Sequence, residues 1–164
     1  MRIKFSVIIP TFNREKLLIK ALNSVLSQNY QNFEIIIVDN FSTDQTEKNI
    51  KLYTQKYKFI KFYKYANNNI IASSRNYGAS KATGEYLCFL DSDDYWSEDK
   101  LKIIYQKILH QNEKLDLIYH DMKFENKVKI FNIRKKIKSS DYNNNNWYKL
   151  ITSGNKIPTS SVTV

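Results

Sequence analysis

A single cysteine, Cys88, is the whole thiol content of the 164 residues, so no internal disulfide can form. It lies in an apolar run, where packing is its expected role, and a reducing cytoplasm fits this usage. No apolar run approaches the ~20 residues that a membrane-spanning helix needs. Met1-Arg2-Ile3-Lys4 leads straight into an apolar segment, so no secretory signal is expected. There is no G-x-G-x-x-G and no G-x-x-x-x-G-K-[ST], which disfavours a dinucleotide site of the Rossmann kind and a P-loop. RRM, KH and helix-turn-helix signatures are also missing, as are internal repeats. Carboxylates run out early: Asp141 is the last, and residues 142–164 contain none.

Net charge is +10 and unevenly spread. Residues 1–100 carry 14 basic and 11 acidic side chains, residues 101–164 carry 12 and 5, and Arg134-Lys135-Lys136 with Lys138 is the densest basic cluster. Such a balance suits anionic partners: phospholipid headgroups, nucleic acid or anionic glycans. The plainer explanation is a solvated lysine-rich surface. A nucleic-acid partner rests on charge alone and is not expected. Peripheral contact with the inner face of a membrane is compatible with the basic second half.

The length suits one domain over 1–164, and 42% hydrophobic residues can build a core. Phe5 to Ile9, closed by Pro10, reads as a buried strand, and so does Phe33 to Val38. Leu17, Leu18, Ala21, Leu22, Val25 and Leu26 place a helical stripe on Glu15 to Gln28. Ser42-Thr43-Asp44-Gln45 has capping-box spacing and predicts a helix reaching about Tyr57. A strand follows over Phe59 to Tyr65, a helix over Ile71 to Ala82 with Gly84 at its end, a strand over Glu85 to Leu90, and a helix over Glu98 to Asn112. Leu115 to Tyr119 and Val128 to Ile133 read as strands, Asn143 to Asn146 as a loop, and Ser161 to Val164 as the start of a strand. The alternation predicts an α/β fold with a mostly parallel sheet flanked by helices.

In such a sheet, ligands bind at the carboxyl ends of the strands. The strand at Glu85–Leu90 ends in Asp91-Ser92-Asp93-Asp94, three carboxylates within four residues. Like charges repel at that spacing, and a hard cation would make it favourable. A solvated loop and the start of the next helix are the competing explanation. After the first strand come Pro10, Thr11, Phe12, Asn13 and Arg14, and after the second come Asp39 to Asp44. Together they supply an aromatic face, hydrogen-bonding groups, a lone carboxylate and a metal-binding pair, enough for a base, a ribose and a diphosphate.

Four ordered segments carry a resemblance: Ser6 to Arg14 (SVIIPTFNR), Val38 to Thr46 (VDNFSTDQT), Ser74 to Gly78 (SRNYG) and Gly84 to Asp94 (GEYLCFLDSDD). In this the chain resembles the nucleotide-sugar-binding half of a family 2 glycosyltransferase of GT-A fold. The resemblance implies a nucleotide-sugar donor, a UDP-sugar, bound with Mn²⁺ or Mg²⁺. It also implies transfer with inversion to a glycan or lipid-linked acceptor, in surface polysaccharide or lipooligosaccharide assembly. It implies that Phe12 flanks the nucleobase, the alternative being a core aromatic. Pro10 and Thr11 would touch the base, with Asn13 and Arg14 beside them, although Pro10 could simply terminate the strand. Asp39 would accept a hydrogen bond from the base, or else serve as a turn residue. Arg75 would face the diphosphate or pair on the surface. Asp93 would bind the metal directly, and Asp91, across Ser92, would hold the ribose or reach the metal through water. Asp44 reads instead as a helix-start residue.

Two departures stand out. Asn40 and Phe41 replace the acidic residue and glycine usual in the second segment, which puts a bulky ring into a tight turn. The usual downstream general base, an Asp or Glu, is not found. Asp116, Asp121, Glu125 and Asp141 are the substitutes, none at a recognisable motif, and His120 beside Asp121 reads as a strand-end histidine. The acceptor-binding portion is expected to be incomplete. The competing function is a donor-binding module that needs another chain to act. A nucleotidyltransferase would want a glycine-rich basic loop where PTFNR stands. Trp96 either lines the pocket or covers the following helix.

Overall fold

The computed structural model describes residues 3–110, 117–120, 122–123, 136–137 and 158–164. Four parallel strands form its sheet: β1 (Phe5–Thr11), β2 (Phe33–Asp39), β3 (Ile60–Lys64) and β4 (Tyr86–Phe89), in the order β3-β2-β1-β4. Four helices connect and follow them: α1 (Glu15–Leu26), α2 (Thr46–Lys56), α3 (Ile71–Ser80) and α4 (Lys100–Leu109). Met122–Lys123 and Lys136–Ile137 pair as a separate antiparallel ribbon. The expected strand at 128–133, the Asn143–Asn146 loop, most of the Arg134–Lys138 cluster and the carboxylates Asp116, Asp121, Glu125 and Asp141 lie outside the described residues.

β1 and β2 are buried at every position, which is why they read as unbroken apolar runs rather than alternating ones. Their two faces pack against different helices. Phe5, Val7, Ile9, Ile35 and Ile37 join Leu18, Leu22 and Val25 of α1, Ile50 of α2, and Leu101 and Ile104 of α4 in one core. Ile8 and Val38 meet α3 on the other face, where a Cβ on Gly78 would stand 2.6 Å from Ile8 Cγ2. Each fully buried Leu or Ile contributes roughly 1.5–3 kcal/mol, so most of the stability resides in these two layers.

Several boundaries differ from expectation for identifiable reasons. Pro10 does not close β1 but lies within it, paired with Val38. Phe5 donates toward β2 and Ile8 accepts from Leu90 on the β4 side, so alternation turns the donorless Pro10 nitrogen toward β4, beyond Phe89, the last paired β4 residue. Ser42 does not cap α2. Asp44 does so instead, accepting from Thr46 N–H (3.0 Å) and from Glu15 N–H (3.1 Å), while Glu15 accepts from Gln45 N–H (3.0 Å). One carboxylate thus joins the starts of α1 and α2. Gly84 serves close approach rather than a helix end, since a Cβ there would lie 2.7 Å from the Lys4 carbonyl oxygen.

After a short 3-10 turn at Thr159–Ser161, residues 162–164 run antiparallel along β4, as a starting strand should. Leu87 N–H donates to Val164 (2.5 Å) and Phe89 N–H to Val162 (3.2 Å). Thr163 also bridges to Ile118, which places residues 117–119 as the next rung.

Candidate functional site

The site is built where β1, β2 and β4 end together. Asn40 N–H donates to the Thr11 carbonyl (3.0 Å), so the first two loops leave the sheet side by side. Asn13 then binds them: its N–H donates to Ser42 Oγ (2.8 Å), and its Oδ1 accepts from Thr43 N–H (2.8 Å). Asn13 holds φ at 50°, a left-handed conformation that asparagine tolerates. The third loop joins through Asn40, whose Oδ1 accepts from Asn67 N–H (3.0 Å). The first departure from the family pattern therefore has a structural use.

Asp39 is fully buried. Its carboxylate accepts from the Ser42 N–H (3.0 Å to Oδ2) and from the Ser42 hydroxyl, making it the anchor of this turn. Oδ2 retains acceptor capacity beyond that one bond. Phe12 is not a core aromatic: 49% of it is exposed at the mouth of the site. Thr11 is buried, and its hydroxyl has no hydrogen-bond partner among the described residues.

The acidic run carries two ion pairs. Arg75 Nη2 donates to Asp91 Oδ1 at 2.6 Å, largely shielded from solvent, and Arg14 Nη1 donates to Asp93 Oδ2 nearer the surface. Arg14 comes from the β1–α1 loop and Arg75 from α3, so the pairs draw three segments to one place. Arg75 Nε is buried with no partner among the described residues. Each guanidinium thus neutralises a carboxylate while keeping donors that suit a planar anion. Ser92 is buried between the two aspartates. Asp94 N–H donates to the Asp91 carbonyl (3.0 Å), which folds the run into a tight turn. Burial, together with the charges of Asp93 and Asp91, pushes the Asp94 carboxyl up from its ordinary range, against a hydrogen bond from Ser160.

Ser160 is the organising residue that sequence reasoning missed. Its hydroxyl accepts from Asp91 N–H (2.9 Å), and its carbonyl accepts from Trp96 Nε1 (3.0 Å) and Lys100 Nζ (2.7 Å). Trp96 is buried in the core with the Lys100 ammonium 3.9 Å from its ring centre, so it covers the start of α4. Burial pushes the Lys100 amine down to about 7, opposed by Cys88 and Asp94 nearby. No local signal connects Ser160 to an acidic turn 69 residues away.

Phe41 stands apart. Its φ is 56°, where an L-residue with a Cβ costs about 1–2 kcal/mol, and 53% of it is exposed.

Comparison with known proteins gives the site a context. The model of the family described as glycosyl transferase family 2 matches residues 6–156. The amylovoran biosynthesis glycosyltransferase AmsB of Erwinia amylovora is 34% identical over 122 residues, covering 71% of this chain and 40% of that protein. The poly(ribitol-phosphate) beta-N-acetylglucosaminyltransferase TarS of Staphylococcus aureus is 39% identical over 101 residues, covering 60% of this chain and 18% of TarS. The structure of TarS 1-349 in complex with UDP superposes with a TM-score of 0.67 at 36% identity, over 73% of this chain and 36% of that one. The same region of TarS with UDP-GlcNAc gives 0.64 at 35% identity, over 73% and 34%. A mannosyltransferase from Pyrobaculum calidifontis, solved with GDP-Man and Mn²⁺, shares the fold at 22% identity and a TM-score of 0.65, over 73% and 36%. The chain spans less than half the length of each of these relatives.

Proposed function

The chain belongs to glycosyl transferase family 2, and from that premise we propose that it binds a nucleotide-sugar donor, a UDP-sugar, together with Mn²⁺ or Mg²⁺. The observation that carries the reading is the pairing of Arg14 with Asp93 and Arg75 with Asp91 at one sheet edge, beside Thr11 and Phe12. TarS, at 36% identity, is known with UDP and UDP-GlcNAc, which supports a uridine nucleotide.

The residues fit a cation of this kind. Among the described residues no three His, Cys, Asp or Glu side chains gather into a preformed cage. A part-buried Asp91 and an exposed Asp93 suit Mg²⁺ or Mn²⁺ held by one or two carboxylates, with phosphate oxygens and water completing the shell. Asp93 would hold the cation directly, and Asp91 would hold the ribose or act through water. A bound cation supplies positive charge where the departing diphosphate gains negative charge. Arg75 and Arg14 would add donors for the same oxygens. Phe12 would flank the base. Pro10, with no N–H, would leave only its carbonyl and ring to meet it. Asp39 would accept from the base N–H only by sharing the carboxylate oxygens that hold Ser42.

Transfer with inversion to a hydroxyl of a glycan or lipid-linked acceptor would need a base. The substitutes named from the sequence, Asp116, Asp121, Glu125 and Asp141, lie outside the described residues. A second reading, donor binding without transfer by this chain alone, is favoured by the chain's spanning less than half the length of the relatives it matches. Sugar transfer catalysed by the purified chain would rule it out. The donor itself is tested by calorimetric titration with UDP, CDP, GDP and ADP in Mn²⁺. Preference for UDP is expected; equal or absent binding of all four would refute the proposal.

A further inference from the structure

Four residues other than glycine have positive φ among those described: Asn13, Phe41, Asn68 and Asn69. Three are asparagine, which visits this region through its short polar side chain. Phe41 has no such excuse. Its ring, more than half exposed, does not recover the strain by burial in the core. The Lys64 ammonium lies 5.7 Å from the ring centre, at the outer limit of a cation–π contact, and is itself paired with Glu47. Strain of this kind persists where the surroundings impose it, and it gathers at ligand sites.

The surroundings do impose it. Asp39 grips Ser42 on one side of Phe41, Asn40 is held between Thr11 and Asn67, and Asn13 closes the turn from the neighbouring loop. These bonds fix an exposed aromatic ring two residues beyond the buried Asp39 carboxylate and one loop away from Phe12. An apolar ring so placed gains free energy when a planar, weakly hydrated group covers it, and a nucleobase is the planar part of the donor.

We propose that Phe41 is a base-binding residue of the donor site, its ring packing on the nucleobase as a second aromatic surface in addition to Phe12. The inference rests on the nucleotide-sugar reading above and adds to it the residue that sets base affinity.

The test compares Phe41→Gly, Phe41→Asn and Phe41→Tyr with the unaltered chain. UDP and inorganic pyrophosphate are each titrated in Mn²⁺, and Tm is measured alongside. Glycine and asparagine both accept φ 56°, so Tm is expected to hold or rise by about 3 °C. UDP affinity is expected to fall about tenfold, equivalent to about 1.4 kcal/mol, in both variants. Phe41→Tyr should keep it, and pyrophosphate, which lacks a base, should bind all four proteins alike. UDP affinity within twofold of the unaltered chain in both variants would overturn the role of Phe41 and leave the donor reading standing. Equal loss for pyrophosphate would overturn the base contact, and a Tm fall above 5 °C in both variants would make the ring structural. Failure of the unaltered chain to bind UDP would overturn both readings.

Discussion

Glu34 offers a quantitative check on how the sheet is held. It lies at the start of β2, at the edge opposite the site, with its side chain only 2% exposed. Ser6 Oγ (2.7 Å), Thr83 N–H (2.6 Å), Thr83 Oγ1 (2.8 Å) and Lys61 Nζ (2.8 Å) all donate to it, and Lys4 Nζ lies 3.7 Å away. Burial alone would push this carboxyl up. The Lys61 ammonium and the other donors outweigh burial and hold it at about 2, against an ordinary 4.5. At about 1.4 kcal/mol per pH unit, this is roughly 3 kcal/mol of preference for the ionised fold. Lys4 and Lys61 are about a third exposed, so solvent screening reduces it to about 2 kcal/mol. Glu34→Gln should therefore lower Tm by about 4–8 °C at pH 7. The native carboxyl binds fewer protons than the unfolded one. Its contribution is thus complete above pH 4.5 and fades as pH falls toward 2. Urea unfolding of both proteins at pH 7, 5 and 3.5 measures this directly. The gap should be full at pH 7 and reduced at pH 3.5, with UDP affinity at pH 7 unchanged. A gap independent of pH, or none at pH 7, would refute the electrostatic account.

Two further predictions follow from burial and close packing. Gly84→Ala would push a Cβ against the Lys4 carbonyl and the Phe5 backbone, both within 2.8 Å, and is expected to cost more than about 2 kcal/mol in urea unfolding; a neutral result would mean that the Thr83–Gly84 loop is free to shift. Cys88 is fully buried, and burial pushes its thiol up to about 11, so it should resist a thiol reagent at pH 8 in the native chain and react at once in urea; rapid native labelling would contradict its place in the core.

What was legible in the sequence is what local pattern controls. Val7 to Ile9 and Ile35 to Val38 are buried on both faces of a parallel sheet, so their apolar runs announce the strands without any tertiary information. The turn residues were only half legible. Asp44 is recognisable as a helix-start residue. That Ser42 is spent on Asp39 instead of α2 depends on how two loops meet. Gln28 reads as the tail of a helix, yet it is buried and accepts from Leu101 N–H (2.9 Å) to cap α4. Glu34 sits unremarked in an apolar run because its donors come from three distant segments. Ser160 was invisible for the same reason. Asp91, Asp93, Arg14 and Arg75 stand out in the sequence as candidates one by one, each in its own segment. Their assembly into two ion pairs is a product of the fold.

The central claim, a metal-assisted site for a uridine diphosphate donor, is tested most directly by titrating UDP with and without Mn²⁺ into the unaltered chain and Asp93→Ala. Mn²⁺ is expected to strengthen binding in the unaltered chain and to lose this effect in Asp93→Ala. No binding of UDP under either condition, or an equal response to Mn²⁺ in both proteins, would contradict it.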